Sequence, residues 1–181
     1  MGIVKIKDKS FKISITEAEI KDRVKAVAQQ ISKDMEGKNP LLLGVLNGAF
    51  MFAADLYRAI DMPLSEITFI RYKSYDGTQS SGKVKKIMGL IENVEGREVI
   101  IIEDIVDTGH TAKMLRDDIA AFNPKSVKMA SLLFKPESLK VGQAPEYTAF
   151  EIPPKFILGY GLDLDELARG MDEIYVLKNK D

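Results

Sequence analysis

The chain has 181 residues, of which 45% are hydrophobic and 29% charged, a balance typical of one globular domain with a substantial core. The net charge of −1 offers no electrostatic basis for binding nucleic acid or a membrane surface. The absence of cysteine excludes disulfides and cysteine-based catalysis. Residues 1–10 are charged and lack the apolar core of a signal peptide. We therefore expect a cytoplasmic protein with no nucleic-acid or membrane partner.

The N-terminal third predicts an arm, a helix and a strand. Residues 5–14 are interpreted as an arm with a short strand. Thr16 and Glu19 form a capping box that predicts the start of the first helix, and Gly37 is a typical stop. An unbroken apolar run then predicts a buried strand, Leu41–Leu46. The predicted buried face of the helix consists of Ile20, Val24, Val27 and Ile31.

The predicted strand Leu41–Leu46 ends in the turn Asn47-Gly48-Ala49, and a helix with Phe52, Leu56 and Ile60 on one face follows. A strand, a turn of small residues and a helix is a layout that suits a phosphate group. Residues 64–71 predict the next strand. The polar stretch 72–86 is typical of either a catalytic lid or a solvated hairpin tip.

The most informative stretch runs from residue 99 to residue 111. Residues 99–102 are apolar and mostly β-branched, which predicts a strand buried on both faces of a parallel sheet. Glu103 and Asp104 follow at its carboxyl end, where ligands of open α/β sheets bind. Residues 107–111, Asp-Thr-Gly-His-Thr, open a helix and can offer free amides and hydroxyls to a phosphate.

Apolar patterning and breakers define the remaining elements. We expect residues 87–91 to pair with residues 99–102 across a turn at 93–96, and residues 136–154 to be irregular. The other predicted elements are a helix over 111–122 with Leu115, Ile119 and Phe122 facing the core, a strand over 127–134, and a last strand over 173–177.

The order apolar run, Glu-Asp, two apolar residues, Asp-Thr-Gly-x-Thr resembles the phosphoribosyl-diphosphate signature of type I phosphoribosyltransferases. Three further segments resemble the hypoxanthine-guanine members of that family. Together the resemblance covers residues 41 to about 169. The three segments are Lys73-Ser74-Tyr75 with Gln79-Ser-Ser-Gly, Ser131-Leu-Leu-Phe-Lys135, and residues 150–163.

The resemblance implies an α/β fold, with a central, mostly parallel sheet flanked by helices and a small base-binding hood. It implies a single domain over residues 1–181, with a core of about 15–135. The hood would consist of the N-terminal arm and about 136–181. The implied reaction is purine salvage: 5-phosphoribosyl passes from phosphoribosyl diphosphate to hypoxanthine or guanine, giving IMP or GMP plus pyrophosphate. Mg²⁺ and a homodimer or homotetramer are implied as well.

The residues that would bind phosphoribosyl diphosphate follow from the matched motifs. Glu103 and Asp104 would hold the ribose hydroxyls, directly or through metal-bound water. The loop Leu46-Asn47-Gly48 would grip pyrophosphate, commonly with a cis peptide, although the family usually has lysine where Asn47 stands. Arg169 would also contact pyrophosphate. The 5′-phosphate would be anchored by Asp107, Thr108, Gly109, His110 and Thr111.

The resemblance also implies roles in catalysis and base recognition. Asp107 would handle the proton on purine N7, and Ser74 and Tyr75 would close over the reaction centre. Lys135, a donor only, would select a 6-oxo group over the 6-amino group of adenine. The base would further contact the ring of Phe156 and the backbone of Ile157, while Asp163 would contact a second metal or its waters. The implied metal-binding residues are Glu103, Asp104 and Asp163.

Three alternatives stay open at this point. A regulator that keeps this fold and binds nucleic acid is a different class of protein, although near-zero net charge, Asp107 and Lys135 count against it. Xanthine or another base is a second possibility, because residue types do not rank hypoxanthine, guanine and xanthine. His110, the only histidine, is either a surface residue or a group that tunes phosphate affinity with pH.

Overall fold

In the computed structural model, which describes residues 2–74, 84–90 and 92–178, a six-stranded sheet forms the centre of the molecule. Its strand order is β5-β4-β3-β6-β7-β8. Five strands are parallel, and only β5 runs antiparallel, along β4. The strands are β3 (Leu41–Leu46), β4 (Glu66–Ser74), β5 (Val84–Met88), β6 (Glu98–Val106), β7 (Ser126–Phe134) and β8 (Tyr147–Glu151).

Three helices cover the two faces of this sheet: α1 (Glu17–Asp34), α2 (Phe50–Ala59) and α3 (His110–Ala120). Helices α1 and α2 pack on one face, where Leu42 and Ile100 are fully buried. Helix α3 packs on the other face, against Leu41 and Ile101. Alternate residues of β3 and β6 thus point into two cores, which confirms the predicted strand buried on both faces.

A second, four-stranded antiparallel sheet has the order β1-β2-β10-β9. It encloses its own small core, in which Phe11 and Leu158 are fully buried. The predicted arm is therefore a two-stranded hairpin rather than one short strand. The strands are β1 (Ile3–Ile6), β2 (Lys9–Ile15), β9 (Ile157–Leu158) and β10 (Ile174–Leu177).

The first helix and its cap agree with the sequence prediction. The side chain of Thr16 accepts a hydrogen bond from the amide of Glu19, and the Glu19 carboxylate accepts one from the amide of Thr16. The helix ends at Asp34, and Gly37 follows with a φ of 72°. All four residues of the predicted apolar face are buried.

Two predictions about strand pairing were wrong. Strand β5 pairs with β4 and not with residues 99–102, because β6 already has parallel neighbours on both edges, β3 and β7. Residues 147–151, expected to be irregular, form β8 on the edge of the large sheet. The short strand alternates buried and partly exposed residues between prolines, a weak sequence signal.

The predicted third helix ends earlier than expected, at Ala120. The side chain of Phe122, predicted to face the core, is 48% exposed. Phe122 lies beyond the end of α3, so the helical periodicity that predicted its burial does not apply to it. Within the described ranges, no helix combines the length and apolarity that crossing a membrane would take.

Candidate active site

The predicted acid pair, phosphate loop, Lys135 and the turn Leu46-Asn47-Gly48 gather at the carboxyl ends of β3, β6 and β7. These strands are parallel and in register, with Gly44 opposite Ile102 and Val106 opposite Phe134. The amide of Lys135 donates to the carbonyl of Val106 at 3.0 Å. Because all three strands end at the same edge, their following turns meet there.

A cavity of about 250 Å³ lies between the end of β6 and the start of α3. No side chain in the described part of the chain caps the first amides of α3. Those amides and the positive end of the helix dipole therefore remain available to an anion. The cavity is lined by Glu103, Asp104, Ile105, Val106, Asp107, Thr108, Gly109, Thr111 and Ala112.

The turn before α3 is held by the segment that follows β7. The carbonyl of Thr108 accepts hydrogen bonds from the amides of Lys140 and Val141. Gly109 has a φ of 85°, and a Cβ there would lie 2.1 Å from the carbonyl oxygen of Val141. This position therefore requires glycine. The backbone, rather than side chains, shapes the predicted phosphate loop.

Glu103 and Asp104 are two adjacent carboxylates at the edge of the core. Burial and the charge of Asp104 raise the pKa of Glu103 well above its ordinary value, and burial also raises the pKa of Asp104. A hydrogen bond from the amide of Ile105 and the charge of Arg169 partly offset the shift of Asp104. Two adjacent carboxylates, of which Asp104 raises the pKa of the buried Glu103, make a site for a cation or for hydroxyl donors.

Asp107 and Lys135 form an ion pair that sequence reasoning did not anticipate. The Nζ of Lys135 lies 2.7 Å from Oδ2 of Asp107. The Lys135 side chain is only 10% exposed, whereas that of Asp107 is 43% exposed. The lysine is therefore held in place by the fold, and the carboxylate faces the open side of the site.

The turn after β3 adopts the conformation that the family resemblance implied, because the Leu46–Asn47 peptide bond is cis. Gly48 lies directly against Asp104. A Cβ at Gly48 would be 1.6 Å from Oδ2 of that carboxylate. The turn after β3 thus touches the acid pair at the end of β6.

Arg169 lies in an irregular segment, residues 160–169, which we call the arginine loop. Its guanidinium donates to the carbonyl of Gly161 at 2.8 Å and pairs with Asp163 and Glu166, each at 2.8 Å. The charge of Arg169 also lowers the pKa of Asp104. Arg169 thereby joins the electrostatic surroundings of the acid pair, and Asp163 contacts the arginine.

Ile157 is the first residue of β9 in the second sheet, and Phe156 directly precedes it. The ring of Phe156 is 44% exposed, with the centroid of Phe11 at 6.1 Å and the Nζ of Lys9 at 5.7 Å. Ile157 is buried and lies opposite Val176 in the β9–β10 pair. An exposed aromatic ring is a surface on which a flat molecule can stack.

The remaining predicted residues are His110, Ser74 and Tyr75. His110 is the first residue of α3, and its Nδ1 lies 3.1 Å from the hydroxyl of Thr108. Ser74 is the last residue of β4. Tyr75 lies outside the described residues, as does the rest of the predicted lid up to residue 83.

The structure adds residues that the motifs did not indicate. Glu166 accepts hydrogen bonds from both Nε and Nη2 of Arg169. Lys7, at the tip of the β1–β2 hairpin, pairs with Asp165 in the arginine loop. The spacing of three between Glu166 and Arg169 was a possible signal for the first pair, but nothing in the sequence connects Lys7 with residue 165.

Comparison with known proteins supports the same family as the motifs. The family model of the phosphoribosyl transferase domain matches residues 14–165. The hypoxanthine-guanine phosphoribosyltransferase of Streptococcus thermophilus is 44% identical over 170 residues, covering 93% of this chain and 94% of that protein.

Two solved structures are similar in fold. The hypoxanthine-guanine phosphoribosyltransferase of Bacillus anthracis has a TM-score of 0.84 and 39% identity, covering 93% of this chain and 97% of that one. The hypoxanthine phosphoribosyltransferase of Staphylococcus aureus has a TM-score of 0.87 and 36% identity, covering 92% and 91%.

Proposed function

Since this chain belongs to the phosphoribosyltransferase family, we propose that it is the purine salvage enzyme that the motifs indicate. It transfers 5-phosphoribosyl from phosphoribosyl diphosphate to hypoxanthine or guanine. The products are IMP or GMP and pyrophosphate. The observation that carries this proposal is the contact of Asp107 with the buried Lys135 at the edge of a phosphate-loop cavity.

Asp107 and Lys135 divide the work on the base. As the purine attacks the sugar, it must lose a proton, and the Asp107 carboxylate accepts it from N7. Lys135 donates to the exocyclic oxygen at position 6. An amino group at that position would leave a buried ammonium facing donors, so adenine is rejected. Phe156 stacks on the ring, and the backbone of Ile157 contacts its edge.

The phosphate loop and the acid pair hold the sugar. The 5′-phosphate lies at the start of α3, on the free amides and the hydroxyls of Thr108 and Thr111. Glu103 and Asp104 accept hydrogen bonds from the ribose hydroxyls. Their charge also favours the positive charge that develops on the sugar as its bond to diphosphate breaks.

The residues present are compatible with Mg²⁺. No three Asp, Glu, His or Cys side chains of the described ranges gather into a protein-only metal site. Mg²⁺ usually binds through one or two carboxylates together with substrate phosphates and water. The buried pair Glu103 and Asp104 fits that pattern, and Asp163 would contact a second ion. Bound Mg²⁺ would neutralise charge on the leaving pyrophosphate.

The turn Leu46-Asn47-Gly48 and Arg169 contact the leaving pyrophosphate in this proposal. Asn47 contributes an amide and no charge, so the guanidinium of Arg169 supplies the positive charge. Ser74 and Tyr75 close over the centre and exclude water, which would otherwise hydrolyse the sugar cation.

We also propose that the chain acts as a single cytoplasmic domain over residues 1–181, assembled as a homodimer or homotetramer. The second sheet, built from the N-terminal hairpin and the C-terminal strands, serves as the base-binding hood. The molar mass in solution, measured by analytical ultracentrifugation, tests the assembly directly.

The decisive assay measures turnover of hypoxanthine, guanine, xanthine and adenine in parallel, with Mg²⁺ and phosphoribosyl diphosphate. We expect turnover of hypoxanthine and guanine and none of adenine. Silence with all four bases, alongside retained binding of phosphoribosyl diphosphate, would overturn the enzyme proposal in favour of a regulator.

A pair of variants tests the role of Lys135 within the same assay. Lys135→Met removes a hydrogen bond from a charged donor, so kcat/KM for hypoxanthine should fall by about 10- to 100-fold. Lys128→Met alters the same strand near its other end and should leave kcat/KM unchanged. Equal losses in the two variants would contradict recognition of the base by Lys135.

A further inference from the structure

The arginine loop and the turn after β3 are in direct contact. Gly161 has a φ of 99°, and a Cβ there would lie 2.1 Å from the carbonyl oxygen of Gly48. Across this contact, the side-chain amide of Asn47 helps to lower the pKa of the Glu166 carboxylate. The same carboxylate accepts from Nε and Nη2 of Arg169, at 3.1 and 2.8 Å. This carboxylate therefore occupies the guanidinium of Arg169 in a loop that touches the turn after β3.

The two acidic partners of Arg169 differ in exposure. The Asp163 side chain is 29% exposed, that of Glu166 is 70% exposed, and that of Arg169 itself is 19% exposed. Asp163 is the inner partner, and it also accepts the amide of Glu166 at 2.7 Å. Glu166 is the outer partner, and its carboxylate can leave by rotating into solvent.

The charges around Glu166 make this a site for an anion. The pKa of Glu166 is lowered chiefly by its hydrogen bond to Arg169 and the charge of that arginine, and further by the charge of Arg71 and the amide of Asn47. Arg169 thus touches this carboxylate, and the charge of Arg71 and the amide of Asn47 act on it in the same direction. Any anion that entered here would meet the same groups.

We propose that Glu166 is a resident anion, which occupies the diphosphate-binding groups of the ligand-free protein and is displaced when diphosphate binds. This inference rests on the proposed function, in which Asn47 and Arg169 contact pyrophosphate. Displacement leaves Arg169 paired with Asp163 and free on its outer side. No covalent step is involved, because one carboxylate exchanges for one phosphate oxygen.

A resident anion weakens binding by competition. Only the fraction of molecules in which Glu166 has left Arg169 can accept diphosphate, so the apparent Kd is the intrinsic Kd divided by that fraction. A carboxylate that holds the arginine for about 70–90% of the time raises the apparent Kd about three- to tenfold. It also repels the incoming anion.

The test measures binding of inorganic pyrophosphate with Mg²⁺ by isothermal titration calorimetry, in the full chain. In Glu166→Gln the side chain keeps its size and loses its charge. We expect its Kd for pyrophosphate, and its KM for phosphoribosyl diphosphate, to fall about three- to tenfold. The KM for hypoxanthine should stay unchanged. Glu166→Ala should show the same direction of change.

The matched control is Glu66→Gln. Glu66 also holds an arginine, Arg97, through two hydrogen bonds, at 2.9 and 3.2 Å, but it starts β4 at the opposite edge of the sheet. Its Kd and KM values should equal those of the wild type. A rise in Kd for Glu166→Gln would instead make Glu166 a positioning residue for Arg169, and an unchanged Kd would show that it does not compete. Either result overturns the proposal.

The proposed function fails by a different result, in which the wild type turns over none of the four bases. If the wild type turns over hypoxanthine and Glu166→Gln has the wild-type Kd for pyrophosphate, only the role of Glu166 is overturned. Wild-type protein that does not bind pyrophosphate overturns both.

Discussion

The end of β6 and the arginine loop both present acidic side chains to the same site, yet they are held in different ways. Glu103 and Asp104 lie on a strand with parallel neighbours on each side. The arginine loop has almost no regular structure. Within its residues 165–168, three have positive φ although none is glycine: Asp165, Glu166 and Ala168. The two ion pairs of Arg169 hold it together with local backbone hydrogen bonds, such as the one from the amide of Gly161 to the carbonyl of Arg169 at 2.8 Å.

The two regions therefore differ in how their charges affect stability. Sheet hydrogen bonds keep the acid pair together although the charges repel and burial raises the pKa of each carboxyl. In the arginine loop, each acid is paired with a side chain of opposite charge. Neutralising a carboxylate should therefore have opposite effects on stability in the two regions, while catalysis depends most on the strand end.

The largest effect is expected at the strand end, from Asp107→Asn. In the proposed mechanism an amide could not accept the N7 proton, so we expect kcat to fall by about 10²- to 10⁴-fold. Substrate affinity should change little, because an amide keeps the shape of the group and its contact with Lys135. Single-turnover kinetics and equilibrium binding of phosphoribosyl diphosphate separate the two quantities. Asp117→Asn, on the exposed face of α3, serves as the control and should retain wild-type kcat.

The next largest effect is expected from a substitution that breaks the contact between the turn after β3 and the acid pair. In Gly48→Ala the new Cβ would lie 1.6 Å from Oδ2 of Asp104, so the turn or the carboxylate must move. Misplacement of this order costs about 10²-fold in rate. Gly170→Ala, where a Cβ meets nothing within 4 Å, should be neutral. Full activity of Gly48→Ala in steady-state assays would show that the two elements need not touch.

The smallest effect is expected when one carboxylate in each region is replaced by an amide and Tm is measured by calorimetry without Mg²⁺ near pH 8. Glu103→Gln removes a repelled, buried charge and should raise Tm by about 2–4 °C, equivalent to about 1 kcal/mol for a chain of this size. Asp163→Asn removes the inner partner of Arg169 and should lower Tm by about 1–3 °C. A lower Tm in both variants would contradict the contrast.

The pH dependence of the Glu103→Gln difference has a definite sign. The pKa of Glu103 is raised in the folded protein. The contribution of the protonated side chain to stability is therefore fully present below the ordinary carboxyl pKa and is lost as pH rises. The Tm gain of the variant should therefore be near zero below about pH 4, the ordinary carboxyl range, and should grow above it. A gain that is constant with pH would point to packing rather than charge.

Local patterns in the chain predicted most of the fold. The capping box at Thr16 placed the start of α1 correctly, and the apolar run predicted β3 with its bounds. The signature at residues 99–111 predicted the buried strand, the acid pair and the helix start, because strand, turn and helix there follow one another along the chain. These features depend on contacts between residues close in sequence, or on burial that alternation reveals directly.

Only the tertiary structure decided which distant segments meet. Pairing of β5 with β4, the edge position of β8, the Asp107–Lys135 ion pair and the docking of Gly161 on Gly48 all join residues that carry no mutual signal in the sequence. By itself the sequence determined most of the elements and the motifs that resemble the family, because these lie in short stretches of the chain. The fold determined which strands and side chains pair and which side chains are exposed, because strand order and loop packing depend on the free energy of the whole core.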